Sequence, residues 1–101
     1  MPSKPGPSFP SELALLVSLG ERLRLARLRR RLTATAVAQR AGISRTTLYN
    51  AECGDAAVTL GTYLRVLTTL GLEADLDQIA ADDKLGRKLQ DLALDPPGTG
   101  R

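Results

Sequence analysis

Residues 33–54 read TATAVAQRAGISRTTLYNAECG, and the fold turns on how this stretch is parsed. Thr33 is a residue type that caps helices, so a short helix is expected over about Ala34–Arg40, with Val37 and Ala38 facing inward. Ala41-Gly42-Ile43 then reads as a tight turn. Gly42 supplies the positive φ that ends a helix without steric penalty. Ser44 caps the next helix, about Arg45–Cys53, and Gly54 ends it. Leu48 and Ala51 are its inward positions.

Two short helices joined by a glycine turn have the layout of a helix-turn-helix. The small Ala38 lets the helices cross closely, and Ile43 plugs the junction. The second helix keeps a free outer face that holds Arg45, Thr46, Tyr49 and Asn50. With about 3.6 residues per turn these four lie on one side, opposite Leu48 and Ala51. Their chemistry suits the reading of bases. Arg can donate twice to guanine O6 and N7, and Asn can pair with adenine N6 and N7. Thr and Tyr offer hydroxyls and an apolar contact for a thymine methyl.

Working outward, helical periodicity predicts a bundle of about five helices. A first helix is expected over about Ser11–Arg31, with Ser11 as its cap and Leu16, Leu19, Leu23 and Ala26 on the buried face. Gly20 within this run is a point where the helix is open to a break or a bend. Leu32 is a core candidate, while Leu25 and Leu28 are either exposed or meet a partner. Thr59 caps a fourth helix that ends at Gly71, with Leu60, Tyr63, Leu67 and Leu70 on its inward stripe. A last helical stretch, about Asp75–Leu92, is open to interruption near Asp82-Asp83. The organisation expected is a flexible arm (1–10), a DNA-binding domain (11–72), a helical extension for dimer or partner contact (73–94) and a flexible tail (95–101).

Charge is unevenly distributed. Residues 20–50 hold eight Arg and one Glu, a net +7, whereas residues 73–95 hold seven acids and three bases, a net −4. A basic half points to an anionic partner. With no His there is no Ser-His or Cys-His dyad, and with a single Cys there is no zinc ligand set. No phosphate-binding glycine loop is present. The expectation is therefore a binding protein and not an enzyme, with no cofactor and no metal. The lone Cys53 suits a reducing compartment, and the N-terminus lacks a signal-peptide pattern, so a cytoplasmic location is expected.

Residues 19–71 resemble the phage-repressor-like, or Xre-type, helix-turn-helix family. The matching residues are LG at 19–20, L..AR at 23–27, LT at 32–33, VAQRAGIS at 37–44, TLYNAE.G at 47–54 and TL..YL.VL..LG at 59–71. The resemblance implies an all-α, lambda-repressor-like bundle that binds double-stranded operator DNA as a homodimer, its third helix in the major groove. It also implies a structural salt bridge between Arg27 and Glu52. An Arg on the core-facing edge of a helix needs a carboxylate partner, which agrees with that pairing.

The chain departs from the family pattern at three places. Ala51 stands where a larger aliphatic residue is usual, Asp55-Ala56-Ala57 lacks a base, and Ala34 replaces a frequent Gln. Phosphate contacts then fall to Thr33, Arg40, Ser44, backbone amides and the arginines of the first helix. The segment LGLEADLDQIAADDKLGRKLQDLAL further resembles HipB-like antitoxins, which bind a HipA-type toxin kinase and repress their own operon. A toxin kinase is thus a second partner that resemblance implies.

Overall fold

Four of the helices begin or end at residues whose local chemistry stops them. The computed structural model describes residues 9–94. Helix α1 spans Pro10–Arg29, α2 Ala34–Ala41, α3 Arg45–Glu52 and α4 Leu60–Leu70. A 3₁₀ helix, Glu73–Gln78, and helix α5, Lys84–Leu94, follow. The hydroxyls of Thr33, Ser44 and Thr59 each accept a hydrogen bond from the backbone N–H three residues on, at 3.0–3.1 Å. Each satisfies one of the donors that a helix start leaves without a partner.

The helix ends share one geometry. Gly42, Gly54 and Gly71 have φ of 71°, 74° and 78°. At each, the following amide reaches back to a carbonyl five residues earlier: Ile43 to Ala38, Asp55 to Asn50 and Leu72 to Leu67. This is the Schellman closure, which glycine makes without a Cβ penalty. Helix α1 ends in the same way, with Leu32 bonded to the Arg27 carbonyl, but the left-handed position is Arg31, at φ 56°.

The start of α1 differs from expectation. Phe9 is its cap and Pro10 its first residue, and no side chain caps it. Proline suits that place, because its missing N–H would have had no partner and its φ is already helical. Ser11 therefore lies inside the helix. Residues 1–8 of the expected arm and the tail 95–101 lie outside the described residues.

The core joins α1 to α4. Leu23, Val37, Ala38, Leu48, Ala51, Tyr63, Val66, Leu67 and Leu70 form one buried cluster, flanked by Leu19, Leu32, Ile43 and Leu72. Leu48 is 0% exposed, and burying such a side chain contributes about 1.5–3 kcal/mol. Leu60 is not a core residue: it is 63% exposed. It occupies the first position of α4, before the helix has turned its inner face to the bundle, and Val66 fills the inward stripe in its place.

Gly20 does not break α1, which runs continuously through it. A Cβ there would stand 2.6 Å from the Glu52 carbonyl oxygen and 2.6 Å from the Gly54 nitrogen. The glycine lets α1 lie directly on the end of α3. The expected stretch Asp75–Leu92 divides into the 3₁₀ helix and α5. Asp83 caps α5 by accepting from the Gly86 N–H at 2.9 Å.

Candidate nucleic-acid interface

Helix α3 is held from behind so that its front stays free. Leu48 and Ala51 are fully buried beneath it. From the side, Arg27 of α1 grips Glu52 at its C-terminal end. Arg27 Nε donates to Glu52 Oε2 at 2.7 Å and a terminal nitrogen donates to Oε1 at 3.0 Å. The other terminal nitrogen donates to the Leu32 carbonyl at 3.1 Å. The two side chains are only 12% and 8% exposed. The hydrogen bond to Glu52 raises the Arg27 pKa above its ordinary value; burial opposes this and the Glu52 charge adds to it. The pair thus ties the chain entering α2 and the end of α3 to one point on α1.

The four residues proposed to face bases do not share one surface equally. Arg45, Thr46 and Tyr49 are exposed and line a groove of about 690 Å³ between α1 and α3. Asn50 is half-buried and lies on the other edge of α3. There it lines a smaller groove of about 260 Å³ with Thr47, Asp55 and Thr59. Viewed along the helix, Thr46 is near the middle of the outer face, and Arg45 and Asn50 lie toward opposite flanks. Such a spread lets one helix address both walls of a groove.

Thr33 and Ser44 are both engaged as caps. Ser44 also donates its proton to Thr47 Oγ1 at 2.9 Å, so its free contribution at this surface is limited. Arg40 is exposed on α2, and its side chain has no hydrogen bond or ion pair among the described residues. The same holds for Arg29, Arg31 and Arg45. Other bases are occupied: Arg22 donates to Ser18, Arg30 to the Ala26 carbonyl and Arg65 to the Ala41 carbonyl.

Two residues were not placed beside the outer face of α3 by the sequence. Cys53 is exposed and lines the larger groove beside Tyr49. Cys53, first by hydrogen bonding and then by charge, raises the pKa of the Tyr49 phenol above its ordinary value. Arg24 lines the same groove from α1, 3.9 Å from Glu21. Its place three residues before Arg27 is the signal that could have found it, since residues so spaced share a helix side.

A protein-family model described as a helix-turn-helix domain matches residues 18–79, more than half of the chain. The chain belongs to the helix-turn-helix domain family. In a comparison with curated proteins, none matches the chain. The matched span of this helix-turn-helix protein starts beside Gly20, takes in α2 and α3 with the glycine turn between them, and ends after the 3₁₀ helix. Membership, with the open face of α3, marks it as a DNA-binding regulator. Among the described residues no helix is long and apolar enough to cross a membrane, and no cluster of His, Cys, Asp and Glu could hold a metal ion.

Proposed function

We propose that this chain is a sequence-specific transcriptional repressor, and not an enzyme, that binds a palindromic or near-palindromic operator as a homodimer. Helix α3 enters the major groove. The observation that carries this reading is the exposed Arg45, Thr46 and Tyr49 row, with Asn50 at its edge, on a helix anchored by Leu48, Ala51 and the Arg27–Glu52 pair. Anchoring matters because a base contact discriminates only if its donor is held in place. One eight-residue helix reads few bases, so two copies set about 34 Å apart read two half-sites one DNA turn apart. Arg40, Arg29 and Arg31 supply phosphate contacts, joined by the amides at the starts of α2 and α3. Such a regulator works in the cytoplasm, where the DNA is.

The experiment is selection from a randomised duplex library, followed by binding over a range of salt. The parent selects a two-fold symmetric site. Arg45→Ala and Asn50→Ala each lose about 1–3 kcal/mol on that site and relax one position of it. Arg40→Ala binds all sequences more weakly and lowers the salt slope by about one unit. Unchanged selectivity in both α3 variants would end the reading.

A second reading, the antitoxin, is supported by the exposed acidic residues Glu73, Asp75, Asp77, Asp82 and Asp83 on the C-terminal side of the bundle. It predicts that a HipA-type kinase encoded beside this gene co-purifies with the chain, and that Asp75→Lys with Asp77→Lys releases it.

A further inference from the structure

Two apolar stripes on this chain are left wholly or partly uncovered, and they have the same spacing. Phe9, Leu13 and Leu16 follow one another at i, i+4 and i+7 along the first half of α1, and Leu85, Leu89 and Leu92 do so along α5. Phe9 is 68% exposed, Leu13 41% and Leu16 half-buried; Leu85, Leu89 and Leu92 are 57–68% exposed. The first stripe continues the core-facing side of α1 beyond the bundle. The second belongs to a helix that makes no extensive contact with α1–α4.

The charges beside the stripes are opposite. Glu12 flanks the α1 stripe, and no base lies between Phe9 and Glu21. Lys88 flanks the α5 stripe, and it has no ion pair among the described residues, whereas Lys84 and Arg87 are paired with Asp82. An α5–α5 contact about a two-fold axis brings Lys88 toward Lys88, and an α1–α1 contact brings Glu12 toward Glu12. Only α1 against α5 brings opposite charges together.

We propose that the partner of each stripe is the other stripe on a second copy of this chain. The α5 of each protomer lies along residues 9–17 of its partner's α1, giving two equivalent contacts related by two-fold symmetry. Covering these side chains twice removes on the order of 1,000 Å² from water, at the lower bound for a biological interface. This arrangement rests on the homodimer of the proposed function and names the faces that build it.

The test uses the full chain with Cys53→Ser. Sedimentation first establishes whether the parent is a dimer. Leu13→Cys and Leu89→Cys chains are then oxidised alone and mixed. The mixture is expected to give a disulfide-linked dimer, and each variant alone is not. Glu12→Lys and Lys88→Glu, which alter only exposed charges, each weaken the dimer by roughly tenfold, and mixing them restores it. In the mixed dimer both contacts regain opposite charges. A parent dimer in which Leu89→Cys cross-links to itself, or in which the mixture stays uncrosslinked, overturns the exchange alone. A monomeric parent overturns the exchange and the homodimer together.

Discussion

Gly20 lies directly against the carbonyl of Glu52, with no room between them for a Cβ. Backbone meets backbone there, so neither side can rotate away as a flexible side chain would. The contact joins α1 to the end of α3. Gly20→Ala should therefore destabilise the fold by about 1–3 kcal/mol, the usual cost of overpacking, despite alanine's better helix propensity. A thermal melt at neutral pH measures it. A variant that melts at or above the parent temperature would mean that α1 can move off α3 at no cost.

The Arg27–Glu52 pair, nearly buried and bidentate, predicts strong coupling. Arg27→Met leaves Glu52 desolvated at the end of α3, at about 3–5 kcal/mol for a fully buried pair. Glu52→Gln keeps the shape and leaves Arg27 its bond to the Leu32 carbonyl, so it costs less. The double variant should lose clearly less than the sum of the two. Denaturant titration of the four proteins closes the cycle; simple additivity would show that the pair contributes nothing as a pair.

Tyr63 gives the stability a dependence on alkaline pH. Burial, and then the Asp55 charge, raise its phenol above the ordinary 10.0. The folded state thus holds the neutral form, which donates to the Asp55 carbonyl at 3.0 Å. In the unfolded chain the phenol ionises near its ordinary value. Its contribution is complete below about pH 10 and is lost as pH rises through the higher folded value. Tyr63→Phe removes the hydrogen bond, costing about 0.5–1.5 kcal/mol at pH 7, and flattens the decline above pH 10. Urea melts of both proteins at pH 7, 9 and 11 compare the slopes. Parallel slopes would remove Tyr63 as their source.

Arg31 occupies a left-handed position where glycine stands at three other helix ends. The backbone cost for a residue with a Cβ is roughly 1–2 kcal/mol, partly offset because glycine gains more freedom on unfolding. Arg31→Gly should raise stability by about 0.5–1 kcal/mol. If Arg31 contacts phosphate, the same variant binds DNA more weakly on every sequence and shows a smaller salt slope. Stability and affinity then move in opposite directions, which a melt and a salt series on one preparation reveal.

The boundaries of α2, α3 and α4 were legible in the sequence because their causes are local. Thr33, Ser44 and Thr59 bond to amides three residues away, and Gly42, Gly54 and Gly71 turn the chain on their own φ. The inward places of Val37, Leu48 and Leu67 follow from helical period alone, as does the outward facing of Arg45, Thr46 and Tyr49. What needed the tertiary structure depends on segments distant in the chain. Gly20 reads as a helix breaker until the end of α3, more than thirty residues on, is seen to rest on it. Leu60 fits the apolar stripe of α4, yet the bundle starts one turn later. Asn50 and Arg45 share an outer face by period, but α1 flanks one edge of α3 and the loop before α4 the other, so they line different grooves. A helical stretch over the α5 residues was expected from the sequence, whereas the uncovered stripe of Leu85, Leu89 and Leu92 was not. Periodicity records that a face is apolar, and only the packing of the other helices decides whether anything in the same chain reaches it.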